Sequence, residues 1–581
     1  MVKTMKKTLM ALVALLTIAV VSCTKDTIPA EYKSLEGTWV ADLTGHTHSI
    51  WNFGTCWNVW NFQTDGTGVC DVFYTVGEEP VAIEHQPFTY TANEGTLYIT
   101  MADGPWDEPY QIKGGRLTIG GEGDDVTFDK ADAEQAARFD EWSRKELVDV
   151  PGTPADYTVF VYGNAGGNMD NIIETGFWDT VKPYLVDSTK VRVVCLYKYG
   201  KGTNSKYAQE GDVVWFELNS ETDLENIREN SLQAVGFSAE ALALKLYSPD
   251  TIRAFMEISS LKCPAKEYIF TIWGHGNGFE AMYDVPNKFD DAATRGLIAD
   301  EWNNREKLDM YELSDAIRST GLDRLNAIFF HNCVMGNMES LAELRDVTDY
   351  ICCSSHVLCS DGTILREYIR GLIDTGNTED AVAQMIERST PYWQRGYEYP
   401  EGPLNGDLKL IRASKLDAII DACKPLADRL LALYPTQKEA IDRATMSVYR
   451  YHLLSNDPVN GILLPMFDLA DYAHKLARET GDAEFASISS TLDRALDDAF
   501  IHYVHVNNSV DHLDHYSLSV CLFDQSDYTC DFIAAGNPFR SNLQPSYEQC
   551  TFHKRTGWGN WLNTNTCRPW GNPYNGGGGQ L

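Results

Sequence analysis

Two stretches decide the fold: Tyr268-Ile-Phe-Thr-Ile-Trp-Gly-His275-Gly-Asn-Gly278 and Ala327-Ile-Phe-Phe-His-Asn-Cys333-Val-Met-Gly-Asn-Met-Glu339. Each is a short run of β-branched and aromatic residues that stops near glycine, the pattern of a buried strand feeding a loop. Between them, Lys307 to Ser319 carries apolar residues at Leu308, Leu313, Ala316 and Ile317 with Gly321 just beyond, which is helix spacing with a glycine stop. Strand, helix, strand in a parallel sheet brings both strand ends to one edge, and ligand sites in such sheets lie outside the carboxyl ends of the strands. His275 and Cys333 are therefore expected to be neighbours in space.

An imidazole beside a thiol takes its proton and leaves a thiolate, the form of cysteine that attacks carbonyl carbon. The glycines flanking His275 let a substrate approach the backbone, and the Gly276 and Cys333 amides are candidates to hold an oxyanion. The competing reading is a core cysteine and a loop histidine with no chemistry. The placement of both residues after strand-like runs and beside glycine favours catalysis.

These motifs resemble the clostripain family of cysteine peptidases, which have a caspase-like α/β fold with a mostly parallel sheet. The likeness is carried by Tyr157-Thr-Val-Phe-Val-Tyr162 with Asn168-Met-Asp-Asn171, by Trp273-Gly-His275-Gly-Asn-Gly278, and by Asn332-Cys333-Val-Met335-Gly-Asn337. It is close from Asp156 to Ile420 and looser as far as Trp561. The resemblance implies a cysteine endopeptidase acting on peptide or protein substrates, with His275 and Cys333 as the catalytic pair and no organic cofactor. Calcium dependence occurs in the family, but no ligand set stands out here. In such zymogens a cut between the His and the Cys frees the site; Lys288, Arg295 and Arg305 are the basic residues in the long 279–306 loop, which reads equally as an uncut surface loop. The family places an acidic residue two positions before the nucleophile to bind a substrate Arg or Lys, and here that residue is His331. Asp361 is a candidate to supply the missing charge, although Asp361-Gly362 is also a turn signal, and Ser354 and Ser355 are candidates to line the cleft. The alternative function is a surface binding lipoprotein that keeps this body and has weak or no activity.

Taken in order, Met1–Cys23 has a basic start and an apolar run from Leu9 to Val21, the length of a signal-peptide core. Val20-Val21-Ser22-Cys23 resembles the bacterial lipoprotein box, which implies lipidation at Cys23 and a cell-envelope location, anchored to a membrane. Thr24–Ser34 reads as a tether. Leu35–Lys130 has short alternating runs at Gly37–Val40, Trp57–Phe62, Phe88–Thr91, Thr96–Thr100, Tyr110–Ile112 and Arg116–Ile119, the pattern of a small antiparallel barrel. This segment resembles the lipocalin-like β domains of surface lipoproteins; its aromatics suit either a ligand mouth or core packing. Cys56 and Cys70 are candidates to pair in an oxidising compartment. Ala131–Pro154 reads as a polar, helix-prone linker, and Ala155–Ile420 as the catalytic domain.

Beyond Gly402 the chain reads as helical over Ala413–Leu433, Met466–Glu479 and Leu492–His502, and Asp421–Gly571 reads as an α+β accessory region with strands at Tyr516–Phe523 and Gln549–Trp561. His502, His505, Asp511, His512, Asp514 and His515 invite a metal reading, but a polar loop explains them equally. Cys530, Cys550 and Cys567 are disulfide candidates, and Asn572–Leu581 is a glycine-rich tail. The net charge of −35 argues against a nucleic-acid partner, which needs a basic footprint.

Overall fold

The computed structural model describes residues 30–42, 55–76, 79–93, 95–101, 104–120, 126–145, 148–149, 154–164, 169–230, 245–274, 276, 308–356, 358, 362–394, 406–449, 451, 466–506, 517–522 and 545–567. Cys23, Lys288, Arg295, Arg305, Asp361, Cys530, the 511–515 cluster and the tail lie outside them, as does His275. The chain divides into two compact units, with the boundary between Asp149 and Val150 apart from two short excursions of the first unit's loops.

The first unit is a barrel of eight strands: β1 (Gly37–Asp42), β2 (Thr55–Phe62), β3 (Thr67–Val76), β4 (Glu79–Asn93), β5 (Thr96–Met101), β6 (Gly104–Lys113), β7 (Arg116–Ile119) and β8 (Val126–Lys130). Sequence neighbours pair throughout, β8 returns to β1, and the short β9 (Val148–Asp149) adds to β4. Closure removes the exposed edges that an open sheet would present. Alternation sends one side of each strand inward, where Trp39, Trp60, Phe62, Phe88, Tyr90, Leu97, Ile99, Leu117 and Phe128 form one core. Trp60 alone has ring contacts with Phe62, Phe88, Trp106 and Phe128 at centroid distances of 5.1–6.1 Å. The aromatics are core packing. Cys70 is a thiol, and its sulfur donates to Asn58 Oδ1 at 3.4 Å, so the expected bond to Cys56 is not formed.

The segment read as a polar, helix-prone linker forms α1 (Ala133–Trp142), opened by a capping box in which the Asp132 side chain accepts from the Gln135 amide. Its Phe139 and Trp142 pack with Val40, Val59 and Phe73 on the outer face of the barrel. The charged residues that made it read as a spacer are the helix's exposed side.

The second unit is built on an eight-stranded sheet. Its strands are β10 (Ala155–Asn164), β11 (Val191–Lys198), β12 (Val213–Leu218), β13 (Ala265–Gly274), β14 (Leu325–His331), β15 (Thr348–Cys353), β16 (Gly406–Arg412) and β18 (Phe500–Val506), in the spatial order β12-β11-β10-β13-β14-β15-β16-β18. The five strands β11, β10, β13, β14 and β15 are parallel, and β12, β16 and β18 join antiparallel at the flanks. The chain starts at β10, builds outward to β12, then returns to β13 and builds the other way. The order reverses between β10 and β13.

One face of the sheet is covered by the helical turns of 170–184, α5 (Thr363–Thr375) and α6 (Thr378–Gln394), which bury Phe177, Tyr368, Leu372 and Met385 against Val159, Trp273 and Phe329. On the other face lies α2 (Pro249–Lys262), where Phe255 meets Phe160 and Tyr162. The expected helix between the two motifs is α3 (Met310–Ser319), capped by Asp309 with Glu312; its Ser314 hydroxyl donates to the Glu343 carbonyl of α4 (Met338–Leu344) at 2.7 Å.

Beyond residue 412 come α7 (Leu416–Ser447), broken by non-helical backbone at Gln437 two residues after Pro435, then α8 (Leu469–Thr480) and α9 (Ala483–Ala499). A small pair, β17 (Met466–Asp468) with β19 (Ser519–Cys521), sits beside α4. Three expectations fail here. His502 belongs to strand β18, because after Ala499 the backbone turns extended and pairs with β16. Gln549–Trp561 is helical, in Thr551–Thr556 and Trp558–Thr564, with Gly557 left-handed between them. Cys550 and Cys567 are thiols donating to the Glu339 and Asp442 carbonyls. Among the described residues no helix is long and apolar enough to cross a membrane.

Candidate active site

The parallel register sets Trp273 opposite His331, so β13 and β14 end together at one edge of the sheet. Gly274 closes β13, and Gly276 follows residue 275 onto the backbone of Cys333. A Cβ at position 276 would lie 2.3 Å from the Cys333 carbonyl oxygen, 2.8 Å from Asn332 Cβ and 3.0 Å from the Cys333 nitrogen. Only glycine fits that approach. The two motifs, 58 positions apart in the chain, are thus in contact through their backbones.

Cys333 is partly exposed, whereas every other described cysteine is buried. Its sulfur lies 3.9 Å from the Leu358 carbonyl. The next residue, Val334, has φ 53° and is the only non-glycine with positive φ among the described residues. A β-branched side chain in that region is a true outlier, costing on the order of 1–3 kcal/mol. The surroundings hold it there. Val334 donates its N–H to the His356 carbonyl at 2.8 Å, Gly336 donates to the Ser354 carbonyl at 2.7 Å, and Asn337 Nδ2 donates to the Val334 carbonyl at 3.2 Å. Asn337 also caps α4 by accepting from the Ser340 amide at 2.8 Å. The sequence gives no sign of this bend beyond the small residue Gly336.

Of the residues singled out for substrate binding, His331, Ser354 and Ser355 are among the described residues. His331 is buried, its ring stacked flat on Trp273 with centroids 3.9 Å apart and planes within 4°, and Phe177 also stacks on Trp273, with centroids 5.8 Å apart. Ser354 and Ser355 are fully buried. The Ser354 hydroxyl donates to Asp407 Oδ1 at 2.6 Å, and the Ser355 hydroxyl donates to the Gly336 carbonyl at 2.8 Å. Both hydroxyls serve the loop that carries Cys333.

Asp407 and Lys409, which sequence reasoning missed, anchor that arrangement. They alternate with Leu408 and Leu410 on β16, so the run reads as a strand with a solvated face, yet both are 0% exposed. Asp407 Oδ1 also accepts from the Ser355 and His356 amides at 2.9 Å each, and Oδ2 is ion-paired with Lys409 Nζ, which donates in turn to Ser355 Oγ at 3.0 Å. Burial pulls the Lys409 ammonium down to about 8; the ion pair with Asp407 favours its charged form. His356 Nε2 and the Tyr449 hydroxyl are hydrogen-bonded at 3.1 Å.

The Asp170 of the Asn168-Met-Asp-Asn motif is structural: it accepts from the Tyr197 hydroxyl (2.6 Å) and the Gly200 amide (3.1 Å), and burial raises its carboxyl to about 6. Glu174, one turn on, accepts from the Tyr199 hydroxyl at 2.9 Å and the Lys206 amide at 2.6 Å. Together they fasten the excursion between β11 and β12. Among the described residues no group of three or more His, Cys, Asp or Glu is arranged to hold a metal ion.

Residues 192–478 match the model of the clostripain family. No curated protein sequence matches the chain. Solved structures similar to it include the secreted C11 cysteine protease "iotapain" of Bacteroides thetaiotaomicron (TM-score 0.44, 16% identity, covering 70% of this chain and 99% of that one). An inactive zymogen C11 protease of Parabacteroides distasonis gives a TM-score of 0.42 at 14% identity, with the same coverages. The assignment rests on the family match: residues 192–478 are a clostripain-family segment, that of a cysteine-type endopeptidase.

Proposed function

We propose that Cys333 is the nucleophile of this peptidase and His275 its base, in a protein anchored in the cell envelope through a lipid on Cys23. The observation that carries the reading is the contact of Gly276 with the Cys333 backbone, which joins the chain on one side of residue 275 to the cysteine. In this reading His275 takes the Cys333 proton, the thiolate attacks the peptide carbonyl carbon, and the Gly276 and Cys333 amides receive the developing oxyanion. His275 then gives its proton to the leaving amine, and water, deprotonated by the same imidazole, hydrolyses the thioester. Each of these steps uses groups of the chain and water alone.

For specificity the proposal keeps cleavage after Arg or Lys, with Asp361 as the carboxylate, since His331 is stacked on Trp273 and brings no negative charge. Activation by a cut in the 279–306 loop, at Lys288, Arg295 or Arg305, belongs to the same proposal. The test is to incubate the chain lacking Met1–Cys23, intact and loop-nicked, with a mixed peptide library and to map the cuts by mass spectrometry beside Cys333→Ala and Gly276→Ala. Cleavage is expected to vanish in the first variant. It should fall about a hundredfold in the second, because the added Cβ pushes the two loops apart. Cuts after residues other than Arg and Lys would reject the specificity assignment, and undiminished cutting by Cys333→Ala would reject the nucleophile.

A further inference from the structure

The carbonyl oxygen of Gly336 collects three donors: the Ser355 hydroxyl at 2.8 Å, the Ser519 amide at 2.9 Å and the Ser519 hydroxyl at 3.1 Å. Gly336 stands three residues after Cys333 and two after Val334, whose left-handed backbone persists only while the loop is held at both ends. Ser519 is 183 positions away in the chain and lies beyond the segment 192–478 that matches the family. It is itself firmly placed. Ser519 pairs with Asp468 across β17 and β19 and bridges to Asn337. The buried Asp468 carboxylate accepts from the Ser517 amide at 2.6 Å and the Ser517 hydroxyl at 2.7 Å. Two residues past Ser519, the Cys521 amide donates to Glu339 Oε1 at 3.0 Å, and the Tyr547 hydroxyl donates to the same oxygen at 3.1 Å.

We propose that Ser519 is a positioning residue for Cys333, acting through the Gly336 carbonyl, and that the C-terminal segment thereby completes the catalytic loop. This rests on Cys333 being the nucleophile. Loss of the Ser519 hydroxyl leaves the carbonyl two donors and lets the loop relax toward an ordinary φ at Val334. That rotation re-aims the Cys333 amide and its Cα–Cβ bond, so the chemical step suffers while substrate binding does not.

The experiment compares Ser519→Thr with Ser519→Val in the full soluble chain. The two side chains have nearly the same shape and differ in a hydroxyl. With a peptide cut by the wild-type chain, the Thr variant is expected to keep kcat within about twofold, and the Val variant to lose about tenfold in kcat with KM within about twofold. The rate of Cys333 alkylation by iodoacetamide, followed against pH on the Cys333 peptide, is expected to change its midpoint in the Val variant alone. Ser519→Ala, which only deletes atoms, serves if the buried site rejects the larger side chains, and the same kcat-only loss is expected. Equal kcat in the Thr and Val variants, a loss in KM instead of kcat, or full activity in Ser519→Ala would overturn the proposal. Cys333→Ala runs alongside: activity surviving there would overturn the nucleophile assignment itself, independently of the Ser519 arms.

Discussion

Inside the barrel, Trp60, Phe62, Phe88, Phe128 and their neighbours meet ring on ring. Around the loop behind Cys333 the buried groups are instead Asp407, Lys409, Ser354, Ser355, His356, Asp468 and Ser519, and the backbone at Val334 is strained. Apolar packing is non-directional and tolerates substitutions of similar volume. A buried ion pair and a set of shared carbonyls are directional, and each member leaves a costly orphan when its partner is removed. The barrel is built to be stable, and the loop is built to hold one geometry.

The strongest way to break this contrast is Lys409→Met. It leaves the Asp407 carboxylate buried without its counter-ion, and the unfolding free energy of the peptidase unit should fall by about 3–5 kcal/mol, read by denaturant titration. The Lys409→Met/Asp407→Leu double variant should recover a large part of that loss. If the single variant were as stable as wild type, the ion pair would not be an anchor. Trp60→Ala should cost about 3–4 kcal/mol through the cavity it opens, in the barrel transition alone, with kcat/KM of the peptidase unchanged. A matching fall in activity would show that the barrel's interior also sets the site.

The smallest effect sharpens the comparison with pH. Glu257 of α2 is buried, its Oε1 has no partner among the described residues, and burial raises its carboxyl from 4.5 to about 8. The folded state therefore binds this proton more tightly than the unfolded chain, so its contribution is full below about pH 4.5 and is lost as pH rises toward about 8. Between about pH 5 and pH 7 the loss should be about 2 kcal/mol. Glu257→Gln should remove that slope in urea titrations at the two pH values; an unchanged slope would mean that other groups set it.

The comparison also separates what was legible in advance. The barrel strands at Trp57–Phe62, Thr96–Thr100 and Arg116–Ile119 could be read because period-2 alternation and turn residues are local signals. The α1 helix was read as a linker because its charged residues outnumber Phe139 and Trp142, the two that pack. Asp407 and Lys409 gave the pattern of an exposed strand, and only burial against β15 and β18 makes them an internal pair. Gln549–Trp561 looked extended because aromatic residues favour strands on average; its hydrogen bonds close within the segment instead.

By itself the sequence determined the strand, helix, strand order around His275 and Cys333, the glycines beside them, and the barrel ahead of them. Those follow from periodicity and from the conformations glycine permits, both of which act over a few residues. The tertiary structure alone decided the left-handed Val334, the burial of Lys409, the stacking of His331 on Trp273 and the reach of Ser519 to Gly336. Each joins parts of the chain whose separation no local pattern encodes, and each exists because a packed interior leaves its polar groups no other partner.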